Sequence, residues 1–139
     1  MTKIVYNSCF GGFDLSHEAI MRYAEIKGMT LYLKEESVLG YHYYLCPPDE
    51  FDRIYAEELA KPVSPDRFET SNRLYFSVRD IERNDPALVQ VVEELGEAAN
   101  GSCSKLQITE VPAGTLYRID AYDGREYVET RDGYDWKIA

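Results

Sequence analysis

The sequence predicts an α+β protein, and three observations carry that class. Apolar residues recur at helical spacing in three segments, within residues 20–24, 51–59 and 88–99. Apolar and polar residues alternate through much of the last third, at residues 106–109 and 117–121. Turns rich in glycine, proline and aspartate separate these segments. The expected architecture is a single domain over residues 1–139. About three helices pack on a mainly antiparallel sheet, and the chain closes in C-terminal β-hairpins.

Residues 3–7 read as a first strand, interrupted by the glycine pair Gly11-Gly12. Ser16 is an N-cap type, and Leu15 and Ile20 are spaced as a hydrophobic staple around it. Ile20, Tyr23, Ala24 and Lys27 then share one helical face, and Gly28 stands where a C′ glycine ends a helix. Residues 29–33 read as a strand, residues 35–40 as a turn and residues 41–46 as a second, tyrosine-rich strand.

Pro47-Pro48-Asp49 opens a helix with the stripe Phe51, Ile54, Tyr55, Glu58 and Leu59. Residues 61–71 read as the longest loop, and Leu74-Tyr75-Phe76 as a compact buried strand. Asp85-Pro86 is the clearest helix start in the chain, a capping aspartate before proline at the first helical position. Gly96 lies inside that helix, where close packing is the expected reason for it, and Asn100-Gly101 ends it. Asp123-Gly124 is a two-residue hairpin signal, and Asp132-Gly133 turns again before Trp136. No repeat or linker divides the chain.

The 139 residues are 45% apolar and 29% charged, which fits a globular domain and excludes collagen-like, disordered and disulfide-scaffold classes. The net charge is −10, concentrated in residues 80–139, where six basic and thirteen acidic groups give −7. Such a surface repels phosphate backbones, so direct nucleic-acid binding is disfavoured. Solubility accounts for that charge, and so does attraction of a basic partner or imitation of DNA. Cys9, Cys46 and Cys103 are too scattered for a disulfide framework. No signal-peptide core or membrane-spanning apolar run is expected, which points to a reducing cytoplasm and no membrane partner.

Phe10-Gly11-Gly12-Phe13 is the most unusual local feature. A glycine turn between a strand and a helix suits an anion, and its two phenylalanines suit a base. The competing reading is a tight turn whose aromatics fill the core. Arg79, Arg83 and Asn84 supply forks and an amide for a phosphate, or pair with neighbouring acids. With Asn7 these residues form the expected ligand-binding set. Tyr122, Asp123, Glu126 and Glu129 form the expected partner-binding set on an acidic hairpin, against the simpler reading of a turn. The twelve tyrosines suit interfaces and ligand walls as well as core packing. No catalytic residue, metal site or cofactor is expected. His17 and His42 have no ligand partners at metal spacing, and nothing local marks a Cys9–His17 nucleophile pair.

Three motifs can be assembled. The first is Asn7-Ser8-Cys9-Phe10-Gly11-Gly12-Phe13 with Leu15-Ser16. The second is Arg83-Asn84-Asp85-Pro86 with Leu88-Val89 and Val91-Val92-Glu93-Glu94-Leu95-Gly96. The third is Tyr122-Asp123-Gly124 with Glu126 and Val128. Together they resemble a family of small, functionally unassigned proteins encoded by tailed bacteriophages. The resemblance spans most of the chain and is least recognisable over residues 34–72. It implies the cytoplasm of an infected bacterial host and an accessory role in takeover or counter-defence. It implies no catalytic residue.

The leading expectation is a phage accessory protein that sequesters a small, cyclic nucleotide signal, as a homo-oligomer with ligand at its interfaces. The alternative is an acidic inhibitor of a host protein such as a nuclease or polymerase. A small nucleotide-processing enzyme is the third reading.

Overall fold

The computed structural model describes residues 1–36, 40–133 and 137–139. Of the turn expected at residues 35–40, residues 37–39 lie outside the described residues, as does Trp136, while residues 35–36 and 40 belong to the strands on either side. The elements run β1 (Thr2–Asn7), α1 (His17–Lys27), β2 (Tyr32–Glu36), β3 (Gly40–Tyr44), α2 (Pro48–Leu59), α3 (Glu69–Leu74) and β4 (Tyr75–Phe76). There follow α4 (Pro86–Leu95), β5 (Leu106–Val111), β6 (Tyr117–Tyr122) and β7 (Arg125–Thr130). The protein is α+β. Among the described residues its strands form three antiparallel sheets, β1-β5, β2-β3-β4 and β6-β7.

The chain divides into two compact units, Met1–Tyr23 with Ile81–Ala139, and Ala24–Asp80. In the first unit Ile4 and Val5 of β1 and Leu88 and Val91 of α4 are wholly buried. The expected helix starts are present. Ser16 Oγ accepts the Ala19 N–H at 3.1 Å, and the Asp85 carboxylate accepts the Ala87 N–H at 2.9 Å. The other oxygen of Asp85 accepts the Tyr23 hydroxyl at 2.8 Å. Burial, and then that bond, push the Tyr23 hydroxyl well above its ordinary pKa.

Two details of α4 differ from expectation. The α-helix stops at Leu95, and a short 3₁₀ turn runs from Gly96 to Ala99. Gly96 has φ 56°, and nothing lies within 4 Å of where its Cβ would be. It therefore supplies a positive-φ backbone that only glycine adopts readily at the helix end, and not a close contact.

In the second unit Tyr43 and Tyr44 are buried, whereas Tyr41 is exposed. Tyr44, Phe51, Tyr55 and Phe68 form a row of rings with successive centroids 4.4, 6.3 and 5.4 Å apart. The expected loop at residues 61–71 contains the start of α3, six residues with no periodicity of their own. The buried Glu58 holds that start. Its carboxylate accepts the Thr70 N–H at 3.1 Å and the Ser71 hydroxyl at 2.6 Å. Arg67 closes the end of α2 in return, donating to the Glu58 carbonyl at 3.1 Å and to the Leu59 carbonyl. The strand expected to be buried at residues 74–76 is only Tyr75–Phe76, and Tyr75 is exposed.

Candidate functional site

Parts of the two predicted residue sets meet in the first unit, as one polar node with an aromatic outer face. β1 ends at Asn7, which is wholly buried. Its Nδ2 donates to the Cys9 and Gly124 carbonyls, both at 2.9 Å. Its Oδ1 accepts the Lys105 N–H at 2.8 Å, and the Cys9 thiol approaches the same oxygen at 3.4 Å. One side chain thus joins the glycine loop, the segment before β5 and the turn of the β6–β7 hairpin. An asparagine suits the position because it carries both donor and acceptor.

Glu126 stands beside it on the buried face of β7. Its Oε1 accepts the Asn7 N–H at 2.8 Å and Arg83 Nη1 at 2.6 Å, and its Oε2 accepts Arg83 Nη2 at 2.8 Å. This is a two-pronged guanidinium–carboxylate pair, the strong form of the interaction. The same guanidinium lies over the Phe13 ring at 3.5 Å from its centroid. On that face of the hairpin, burial and then the Glu82 charge push the Tyr117 hydroxyl up.

The glycines let the backbones touch. A Cβ on Gly11 would overlap the Cys103 carbonyl, and Gly12 N–H donates to that carbonyl at 3.3 Å. A Cβ on Gly124 would overlap the Gly11 carbonyl. Asp123 and Gly124 have φ of 50° and 82°, the paired positive values of the expected two-residue hairpin turn.

Of the expected ligand set, therefore, Asn7, Gly11, Gly12, Phe13 and Arg83 build the node. Phe10 remains outside, 61% exposed. Asn84 is exposed and lines a cavity beside β1, and Arg79 is exposed in the second unit. Of the expected partner set, Tyr122 is 73% exposed and Asp123 is exposed at the turn. Glu129 pairs with Arg118 at 2.8 Å, and Glu126 is buried.

Sequence reasoning missed Arg125 and Tyr127. The register opposes Tyr122 to Arg125 and Asp120 to Tyr127, which puts all four on one face of the ribbon. The Arg125 guanidinium lies 5.6 Å from the centroids of both the Phe10 and Tyr127 rings. The signal was available. Once Asp123-Gly124 sets the turn, alternation places residues 125 and 127 opposite 122 and 120.

The remaining chemistry is sparse. Cys46 is buried, and burial raises its thiol pKa. Among the described residues no group of three or more His, Cys, Asp or Glu side chains is placed to hold a metal ion. No described helix is long and apolar enough to cross a membrane. Comparison of the chain with protein-family models, with curated proteins and with solved structures finds no match.

Proposed function

We propose that the protein acts by binding and not by catalysis, as a phage accessory protein that inhibits a basic host protein. The observation that carries this reading is the outer hairpin face, where Phe10, Tyr122 and Tyr127 are exposed around Arg125. Tyrosine and arginine are the residues that dominate protein–protein interfaces, because each combines a large contact area with a polar group. The net charge of −10 supplies attraction to a basic surface and speeds encounter.

The nucleotide reading now has less support. The phosphate fork Arg83 is engaged by Glu126, the Gly11-Gly12 backbone is closed by Cys103 and Gly124, and Phe13 is covered by Arg83. One observation still favours it as a second reading: an exposed phenylalanine beside an arginine can stack a base and hold a phosphate.

The test is capture from lysate of infected bacteria, with wild type and Tyr122→Ala in parallel, followed by association kinetics against salt. Truncating Tyr122 is expected to weaken the complex by about thirtyfold without lowering the melting temperature. The association rate is expected to fall steeply with salt. A captured protein that Tyr122→Ala and Tyr127→Ala retain equally defeats the reading. A rise in melting temperature with a pool of cyclic nucleotides, lost in Phe10→Ala, moves the function to the second reading.

A further inference from the structure

The glycine loop and the turn before β5 hold two cysteines against each other, and neither reading above uses their thiol chemistry. Cys9 and Cys103 stand 94 positions apart in sequence, yet the Cys9 thiol reaches the Cys103 carbonyl at 3.3 Å. Both belong to the first unit.

The backbone fixes this approach on both sides of Cys9. Before it, Ser8 N–H and Ser8 Oγ donate to the Lys105 carbonyl at 2.8 and 2.9 Å. After it, Gly12 N–H donates to the Cys103 carbonyl at 3.3 Å. Gly11 lets the two segments close up. A Cβ there would lie 3.1 Å from the Cys103 Cβ, so the root of the Cys103 side chain lies against the loop.

The two thiols differ in access. Cys103 is exposed and Cys9 is half-buried. Ser102 and Cys103 are the central residues of a turn that Ser104 N–H closes on the Gly101 carbonyl at 3.3 Å. The Cys103 sulfur meets only a weak partner there, Ser102 Oγ at 3.9 Å. A disulfide needs the two Cβ atoms about 3.8 Å apart, and the exposed turn is the part that adjusts to it. Cys46 stands in contrast. It is buried in the second unit, and burial raises its thiol pKa, which keeps it from the reactive thiolate form.

We infer that Cys9 and Cys103 form a reversible disulfide when they meet a low-molecular-weight disulfide such as oxidised glutathione, and that the bond pins the loop carrying Phe10 to the segment before β5. The exposed Cys103 thiolate attacks one sulfur of the oxidant. The oxidant's S–S bond breaks, leaving a mixed disulfide on Cys103 and one released thiolate. The Cys9 thiolate then attacks the Cys103 sulfur and expels the second thiolate. The two protons given up by the cysteines end on the two released thiols, and the two electrons reduce the oxidant. A bond at an exposed turn belongs to the class that is readily reduced, so an excess of reducing thiol reopens it. The inference does not rest on the hairpin reading, since it concerns bond formation and not what the outer face binds.

The experiment exposes the reduced full chain to oxidised glutathione, blocks remaining thiols with N-ethylmaleimide and maps the peptides by mass spectrometry. The monomer is expected to lose the mass of two hydrogens, with the Cys9 and Cys103 peptides cross-linked and Cys46 unlinked. Dithiothreitol is expected to restore both thiols. Cys9→Ser, which cannot resolve the mixed disulfide, is expected to accumulate the glutathione adduct on Cys103 at least about tenfold above wild type. An adduct that accumulates equally in wild type overturns the inference. So does a cross-link through Cys46 or between two copies, and so does a chain whose mass is unchanged at the most oxidising glutathione ratio.

Discussion

Glu126 in the first unit and Glu58 in the second are both buried carboxylates that tie together segments distant in the chain. They are satisfied in different ways. Glu126 meets an arginine fork and one backbone N–H. Glu58 meets a hydroxyl and backbone N–H groups, with no cation among these partners. The difference shows two routes to a tolerable buried charge, an opposite charge or a set of oriented dipoles. The first route fixes a side chain from far along the sequence. The second fixes the start of a helix too short to stand alone.

The comparison predicts that the pair fails harder than the cap. Arg83→Ala leaves Glu126 buried without its counter-charge and is expected to cost about 4 kcal/mol in thermal or urea unfolding. A loss below about 1 kcal/mol would mean that the pair is idle. Arg83→Met with Glu126→Leu is expected to recover only part of the loss, since it removes both charges together but leaves the buried Asn7 N–H without its acceptor.

Gly124→Ala is expected to cost about 3 kcal/mol, because the position needs a positive φ and the methyl group would meet the Gly11 carbonyl. A loosened glycine loop, read as faster amide exchange at residues 9–13, should accompany it.

Glu58 makes the second arm of the comparison pH-dependent. Hydrogen bonds from Ser71 and Thr70 outweigh burial and hold its carboxyl below the ordinary carboxylate value. Its stabilisation is therefore present above the unfolded-state pKa and disappears as pH falls through the lower folded value. Urea midpoints measured from about pH 6 down to about pH 2 should show that acid loss. Glu58→Gln should flatten it, and an unchanged slope in that variant would remove Glu58 from the account.

Smaller effects calibrate the rest. Asp85→Ala removes the α4 cap and is expected to cost about 1 kcal/mol, with more lost at the Tyr23 hydroxyl. Arg53→Ala breaks an exposed pair one helical turn apart, Arg53–Glu57, and is expected to cost below about 0.5 kcal/mol.

Much of the local structure was legible in the sequence. Ser16, Asp85-Pro86 and Asp123-Gly124 each announced an element by acting on backbone within a few residues. Three features escaped. The helix α3 has no periodic stripe, and its start is held by a carboxylate from α2. Gly96 was read as a packing glycine because no spacing distinguishes that role from a helix end. The division at residues 23–24 and 80–81 has no linker composition to mark it.

The candidate site was legible as a set of residues and not as an arrangement. Arg83 and Glu126 were assigned to different sites, yet they are 43 positions apart in sequence and bonded in the fold. Phe10 was grouped with Phe13, but the chain turns one ring outward and the other inward.

The sequence by itself determined the α+β class, the caps, the hairpin turn and the negative charge. Each of these depends on neighbouring residues or on composition. Only the tertiary structure decided that Asn7, Arg83 and Glu126 form one node, that Gly11 meets Gly124, and that Phe10, Tyr122, Arg125 and Tyr127 share a face. Such contacts depend on which sides of distant strands and loops are brought together. That choice is made by packing the whole first unit and is written in no single stretch of the chain.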